Sequence, residues 1–83
     1  MTTIYVTKYA LSSGPFKAEA ELKFEGRMAV WWAGGYQQSA HGKDFWLTEE
    51  EALADCERRR ETKLKSIEKQ KAKIEKMQFT ISN

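Results

Sequence analysis

From Thr48 to the end of this chain there is neither a glycine nor a proline, so a helix that starts there meets nothing to stop it. The start is written out. Thr48-Glu49-Glu50-Glu51 has the form of a capping box, with Thr48 at the N-cap and Glu51 three residues on. Three glutamates in the first turn also meet the positive end of the helix dipole, and lysines crowd the last turns, where the dipole favours them. The expected helix occupies residues 48–78, with its last full turn near Met77. About 29 residues at 1.5 Å of rise make a rod of ~44 Å, long for so short a chain.

On a helical wheel Leu53, Cys56, Leu64, Ile67 and Ile74 share one face, with Met77 at its edge, and Arg60 and Lys71 fall in the middle of it. Arg58, Lys65, Lys69, Lys73 and Lys76 lie opposite. The apolar stripe is therefore interrupted, and a partner that buried Arg60 and Lys71 unpaired would be costly. The expectation is that the first half of the helix, through Leu53 and Cys56, seals a sheet. The second half then overhangs it or packs at a wetter interface. Cys56 reads as a small buried apolar residue, its acidic neighbours Asp55 and Glu57 disfavouring a reactive thiolate.

Residues 1–47 read as β structure. Ile4-Tyr5-Val6-Thr7-Lys8-Tyr9 is β-branched and aromatic, and Leu11-Ser12-Ser13-Gly14-Pro15 is a connecting loop. From Phe16 the chain alternates without a break, Phe16, Ala18, Ala20, Leu22 and Phe24 against Lys17, Glu19, Glu21, Lys23 and Glu25. That is a strand with one buried and one wet face. Glu25-Gly26-Arg27 suits a tight turn. Met28-Ala29-Val30-Trp31-Trp32-Ala33 reads as a third strand, broken by Gly34-Gly35. Residues 36–44 are polar and irregular, and Phe45-Trp46-Leu47 forms a short strand before the helix. Gln78-Phe79-Thr80-Ile81 alternates again and could add an edge strand, within a short tail at residues 79–83. The fold expected is α+β: an antiparallel sheet of three to four strands followed by one long C-terminal helix packed across it, in a single domain.

Composition narrows the function classes. One cysteine and one histidine allow neither an intrachain disulfide nor a Cys/His metal site, and no cofactor motif is present. No apolar run reaches the ~20 residues a membrane span needs, and the start lacks the pattern of a signal peptide. A cytoplasmic protein is expected, without membrane contact. The net charge of +2 hides an asymmetry. Residues 1–57 carry five Lys/Arg against nine Asp/Glu, and residues 58–83 carry nine against three. An acidic body bearing a basic segment bears on partners rather than on fold.

Two groups of residues are candidate contact sites. The basic helix face, Arg58, Arg59, Lys65, Lys69, Lys73 and Lys76, could neutralise a phosphate backbone or an acidic protein surface. It could equally be a solvated face supported by pairs such as Glu61–Lys65 and Asp55–Arg59. The second group is Trp31, Trp32, Tyr36, Gln37 and Gln38, with His41 and Lys43. Adjacent tryptophans in a strand point to opposite faces, so one is core and the other needs a cover. Ser39, His41, Lys43 and Asp44, close together in one polar stretch, read as a loop rather than a catalytic cluster.

Several segments resemble a family of small uncharacterised phage and prophage proteins: Ile4-Tyr5-Val6-Thr7-Lys8-Tyr9-Ala10-Leu11 with Gly14, Glu19-Ala20-Glu21, Gly35-Tyr36 with Ser39-Ala40-His41-Gly42-Lys43-Asp44, the helix start Glu50-Glu51-Ala52, and Lys63-Leu64-Lys65-Ser66-Ile67-Glu68-Lys69-Gln70 running to Met77 and Phe79. Pro15-Phe16 departs from it, an aliphatic residue being expected directly after Gly14. The resemblance implies a phage origin and action inside a bacterial host cell. The expected function is a non-enzymatic accessory protein that binds and blocks a host protein, as anti-defence inhibitors do. The alternative is a nucleic-acid or nucleotide binder that uses the basic helix and the aromatics. A monomer or a weak homodimer fits either.

Overall fold

The computed structural model describes residues 1–81 of the chain. Five strands form one antiparallel sheet: β1 (Thr2–Val6), β2 (Phe16–Lys23), β3 (Met28–Ala33), β4 (Tyr36–His41) and β5 (Phe45–Trp46). A single turn of 3-10 helix, Gly42–Asp44, precedes β5, and one long helix follows, α1 (Glu49–Glu75). The fold is α+β as expected, with one strand more than the sequence suggested. The spatial order is β4-β3-β2-β1-β5.

The extra strand is β4, and glycine chemistry explains it. Gly34 and Gly35 adopt φ of 59° and 81° and join Ala33 to its cross-strand partner Tyr36. Two successive positive φ values make the two-residue hairpin turn whose twist matches that of the flanking strands. What reads as a strand break is a reversal, and the polar stretch after it pairs along β3 from Tyr36 to His41. Its polarity follows from burial, since Ala40 alone in β4 is removed from solvent. Between β2 and β3 the turn runs through Phe24, Glu25 and Gly26, all at positive φ, and closes on an Arg27 N–H to Phe24 C=O bond of 3.2 Å. Phe24, the last apolar residue of the alternating run, is thereby carried out of the sheet and exposed.

The core lies on one face of the curled sheet. Ile4, Val6, Ala20, Ala29, Trp31, Ala40 and Phe45 form a single buried cluster, with Ala18 and Leu22 packed against it. Alanines supply the inward positions along β2, β3 and β4, and the Trp31 ring fills the space they leave, with the Phe16 ring edge-on at 6.0 Å between centroids. The curl brings the end of β1 back towards β4. Lys8 Nζ donates to the Ser39 carbonyl at 2.5 Å, although β2 and β3 lie between those strands.

The helix begins as its sequence dictates. Thr48 Oγ1 accepts from the Glu51 N–H at 3.2 Å and donates to Glu51 Oε1 at 2.8 Å. The helix ends slightly short of the expected boundary, at Glu75, with the Lys76 N–H capping the Ala72 and Ile74 carbonyls. Gln78, Phe79, Thr80 and Ile81 add no strand, and residues 82 and 83 of the expected tail lie outside the described residues. No helix among the described residues is long and apolar enough to cross a membrane.

The helix packs across the β1–β5 end of the sheet, and its buried face differs from the one the wheel suggests. Ala52 and Asp55 are buried, with Cys56 and Arg59 partly so, whereas Leu53 is 53% exposed. Relative to the apolar stripe the contact is displaced by about one residue, ~100° around the axis. The reason is polar. The sheet end presents the Thr7 hydroxyl, which donates to Asp55 Oδ2 at 2.7 Å, so a carboxylate rather than a leucine is seated there. Beyond Arg59 every described helix residue is exposed. The molecule measures 62 × 29 × 22 Å with a radius of gyration of 18.4 Å. A compact chain of this length would have ~12 Å, so the distal helix is a projecting rod.

Candidate binding surfaces on the projecting helix

Asp55 organises the junction between helix and sheet. Besides the Thr7 hydroxyl, its carboxylate receives Arg59 Nε at 2.7 Å and Arg58 Nη2 at 3.4 Å. The Trp46 indole N–H donates to Thr7 Oγ1 at 3.2 Å, and Arg59 Nη2 reaches on to the Lys43 carbonyl at 3.0 Å and Asp44 Oδ1 at 3.2 Å. Burial would push the Asp55 carboxyl up. Hydrogen bonds from Arg59 and Thr7, and the charge of Arg59, outweigh that and hold it below its ordinary range. The Asp55 hydrogen bond in turn raises Arg59, against its own desolvation, with Asp44 adding to the effect. Arg59 is therefore a structural residue, committed to two carboxylates.

Past this junction the rod carries segregated faces. Arg58, Thr62, Lys65, Ser66, Lys69, Lys73 and Lys76 follow one another at helical spacing down one side. Among the described residues none of Lys65, Lys69, Lys73 and Lys76 forms an ion pair, so the expected Glu61–Lys65 pair is not made, whereas Asp55–Arg59 is. On the other side Leu64, Ile67, Ile74 and Met77 are all about half exposed or more. The two cations that interrupt this stripe are neutralised within the helix, Arg60 by Glu57 at 3.1 Å and Lys71 by Glu75 at 3.8 Å.

The aromatic group separates. Trp31 is 5% exposed and belongs to the core, while Trp32 is 68% exposed on the opposite face of β3. Trp32 stands beside Gln37, its partner across the hairpin. Tyr36 pairs with Ala33 and so lies on the Trp31 side, with Gln38, which pairs with Trp31 itself. His41 is exposed at the end of β4. These residues sit on β3 and β4, at the other end of the strand order from β5. Lys43 alone of that set joins the helix cations, through the 3-10 turn.

Sequence reasoning missed one feature. The β1–β2 connection, residues 7–15, is held by Ala10, Ser12 and Gly14 N–H bonds to the Thr7 and Tyr9 carbonyls, and it faces the helix across an open groove of about 730 Å³. Lys8, Tyr9 and Leu11 line one side of it and Arg58, Thr62 and Lys63 the other. A smaller hollow of about 320 Å³ continues along Thr62, Lys65, Ser66 and Lys69. The Asp55–Arg59 spacing was legible in the sequence, but nothing local announces a contact between Thr7 and Asp55. No protein-family model, no curated protein and no solved structure matches the chain.

Proposed function

We propose that the protein is a non-enzymatic binding module that engages a protein partner through the apolar stripe of its projecting helix and blocks that partner by covering it. One observation carries this reading. Leu64, Ile67, Ile74 and Met77 are exposed on a rod that the sheet does not need, at the spacing of a helix that lies in a groove. The internal pairs Glu57–Arg60 and Lys71–Glu75 support it, because they let the stripe be approached without stranding a bare cation. The complementary surface is an apolar cleft with polar rims. The resemblance to phage and prophage proteins makes a cytoplasmic host factor the natural class of partner, anti-defence inhibition being one such role.

The test is capture of a defined host protein by tagged protein from nuclease-treated lysate, repeated with Ile67→Asp/Ile74→Asp. Both positions are exposed, so the variant should fold as the parent does, judged by circular dichroism, and lose the partner. Capture that survives the double substitution, or that vanishes on nuclease treatment, refutes the reading.

The unpaired lysines favour a second reading, contact with a nucleic-acid backbone along Lys65, Lys69, Lys73 and Lys76. Four phosphate contacts would make log affinity fall against log salt with a slope of roughly −3 to −4. No retardation of nucleic acid at low salt disposes of it.

A further inference from the structure

The groove between the β1–β2 connection and the helix has a chemistry of its own, distinct from the apolar stripe. Lys8, Lys43, Arg58, Arg59 and Lys63 surround it, and Asp55 is the one carboxylate among its lining residues. That carboxylate is already satisfied by Thr7, Arg59 and Arg58, and Arg59 is held between Asp55 and Asp44. Their charges therefore cancel locally and build the floor. The remaining cations differ. Lys43 and Lys63 have no ion-pair partner among the described residues. The Arg58 side chain is 58% exposed, lies over the Trp46 ring at 5.6 Å, and keeps only a long contact to Asp55. Three cations thus border the space from the 3-10 turn and the helix, with the Thr62 and Ser66 hydroxyls as further donors.

The facing wall is of another kind. Tyr9 and Leu11 are about half exposed although both are large and apolar, and the backbone bonds of their own loop hold them there. The Lys8 ammonium sits 5.1 Å from the Tyr9 ring centroid and is tied to the Ser39 carbonyl. It fixes the wall and adds positive potential. A flat aromatic surface opposite two unpaired lysines, the half-exposed Arg58 and two hydroxyls matches a ligand with a planar apolar part and a multiply charged tetrahedral part. The volume, about 730 Å³, lies within the range of small-molecule sites. We propose that this groove binds a nucleoside phosphate, its phosphates on Lys43, Arg58 and Lys63 and its base against Tyr9 and Leu11. The hollow beyond, at Lys65 and Lys69, suits a further phosphate. The same chemistry could be offered by a free nucleotide or by one unit of a single strand.

Isotope-labelled protein titrated at low salt with ADP, pyrophosphate and a short oligothymidylate separates the cases. Saturable amide shifts at Tyr9, Ser12, Lys43, Thr62 and Lys63 with ADP are expected for a free nucleotide. The same shifts with the oligonucleotide alone assign the site to a strand unit. Lys43→Glu/Lys63→Glu should weaken binding at least about tenfold, since two charge-assisted contacts become repulsive. Both positions are exposed, and the amide spectrum reports the variant's fold directly. Tyr9→Ala should weaken ADP or oligonucleotide but leave pyrophosphate unchanged. The proposal is overturned by shifts confined to residues 65–76, by no saturation at millimolar ligand, or by indifference to Tyr9→Ala.

Discussion

Asp55 shows how much of this molecule turns on single side chains. A carboxylate on the buried face of a helix costs desolvation, and here it is tolerated because Thr7 and Arg59 donate to it. Removing it leaves the Thr7 hydroxyl without its acceptor and Arg59 with Asp44 as its one carboxylate. Asp55→Ala should therefore destabilise the protein by roughly 2–4 kcal/mol, read as a lowered urea midpoint. The pH dependence has a fixed sign. The folded-state pKa lies below the ordinary 3.8, so the contribution is fully present above about pH 4 and is lost as pH falls through the folded value. Stability of the parent should thus decline in acid more steeply than that of Asp55→Asn. Equal slopes below pH 4 would contradict this role. At the same scale the tryptophan pair was half legible. Strand alternation required Trp31 and Trp32 to face opposite ways, but only the curl of the sheet chose Trp31 as the core residue.

Among the elements, the strands and the helix owe their existence to different things. β2 is an alternating run, β3 is an apolar run that Gly34-Gly35 ends, and α1 starts where Thr48 and Glu51 cap it. Each was readable locally. β4 was not, because a polar strand gains its stability from the ladder to β3 rather than from a buried face of its own. The helix is the opposite case, present in sequence well past the point where tertiary packing supports it. A chain ended after Ser66 keeps Ala52, Asp55 and Arg59, the buried helix residues and the arginine bonded to the junction. Its stability should match the full chain within about 1 kcal/mol, an isolated helical overhang being marginal in water. A larger loss in thermal unfolding would mean that the distal rod is bound to something within the fold.

For the whole molecule, the unusual quantity is shape. A radius of gyration of 18.4 Å belongs to a small curled sheet with a rod leaving one end. Scattering from a dilute solution should give an elongated particle near that value, and ~12 Å would mean that the rod folds back on the sheet. The shape also separates the surfaces. In the strand order the β3–β4 hairpin that carries Trp32 lies at the other end from β5, against which the helix packs. The groove is assembled from the β1–β2 connection, the 3-10 turn and α1.

The amino-acid sequence alone determined the class of fold, the register-bearing alternation of β2, the capped start of the helix, and the separation of charge between body and rod. These depend on near neighbours, on periods of two and of 3.6, and on side chains that bond their own backbone. Tertiary structure decided which face of α1 meets the sheet, which tryptophan is buried, and which cations stay free. Those outcomes turn on contacts such as Thr7–Asp55 and Lys8–Ser39, between residues far apart in the chain. A seat that prefers a carboxylate to a leucine rotated the helix by one residue. The rotation left Leu53 in solvent, and the projection of the rod beyond the sheet left Leu64, Ile67, Ile74 and Met77 there too.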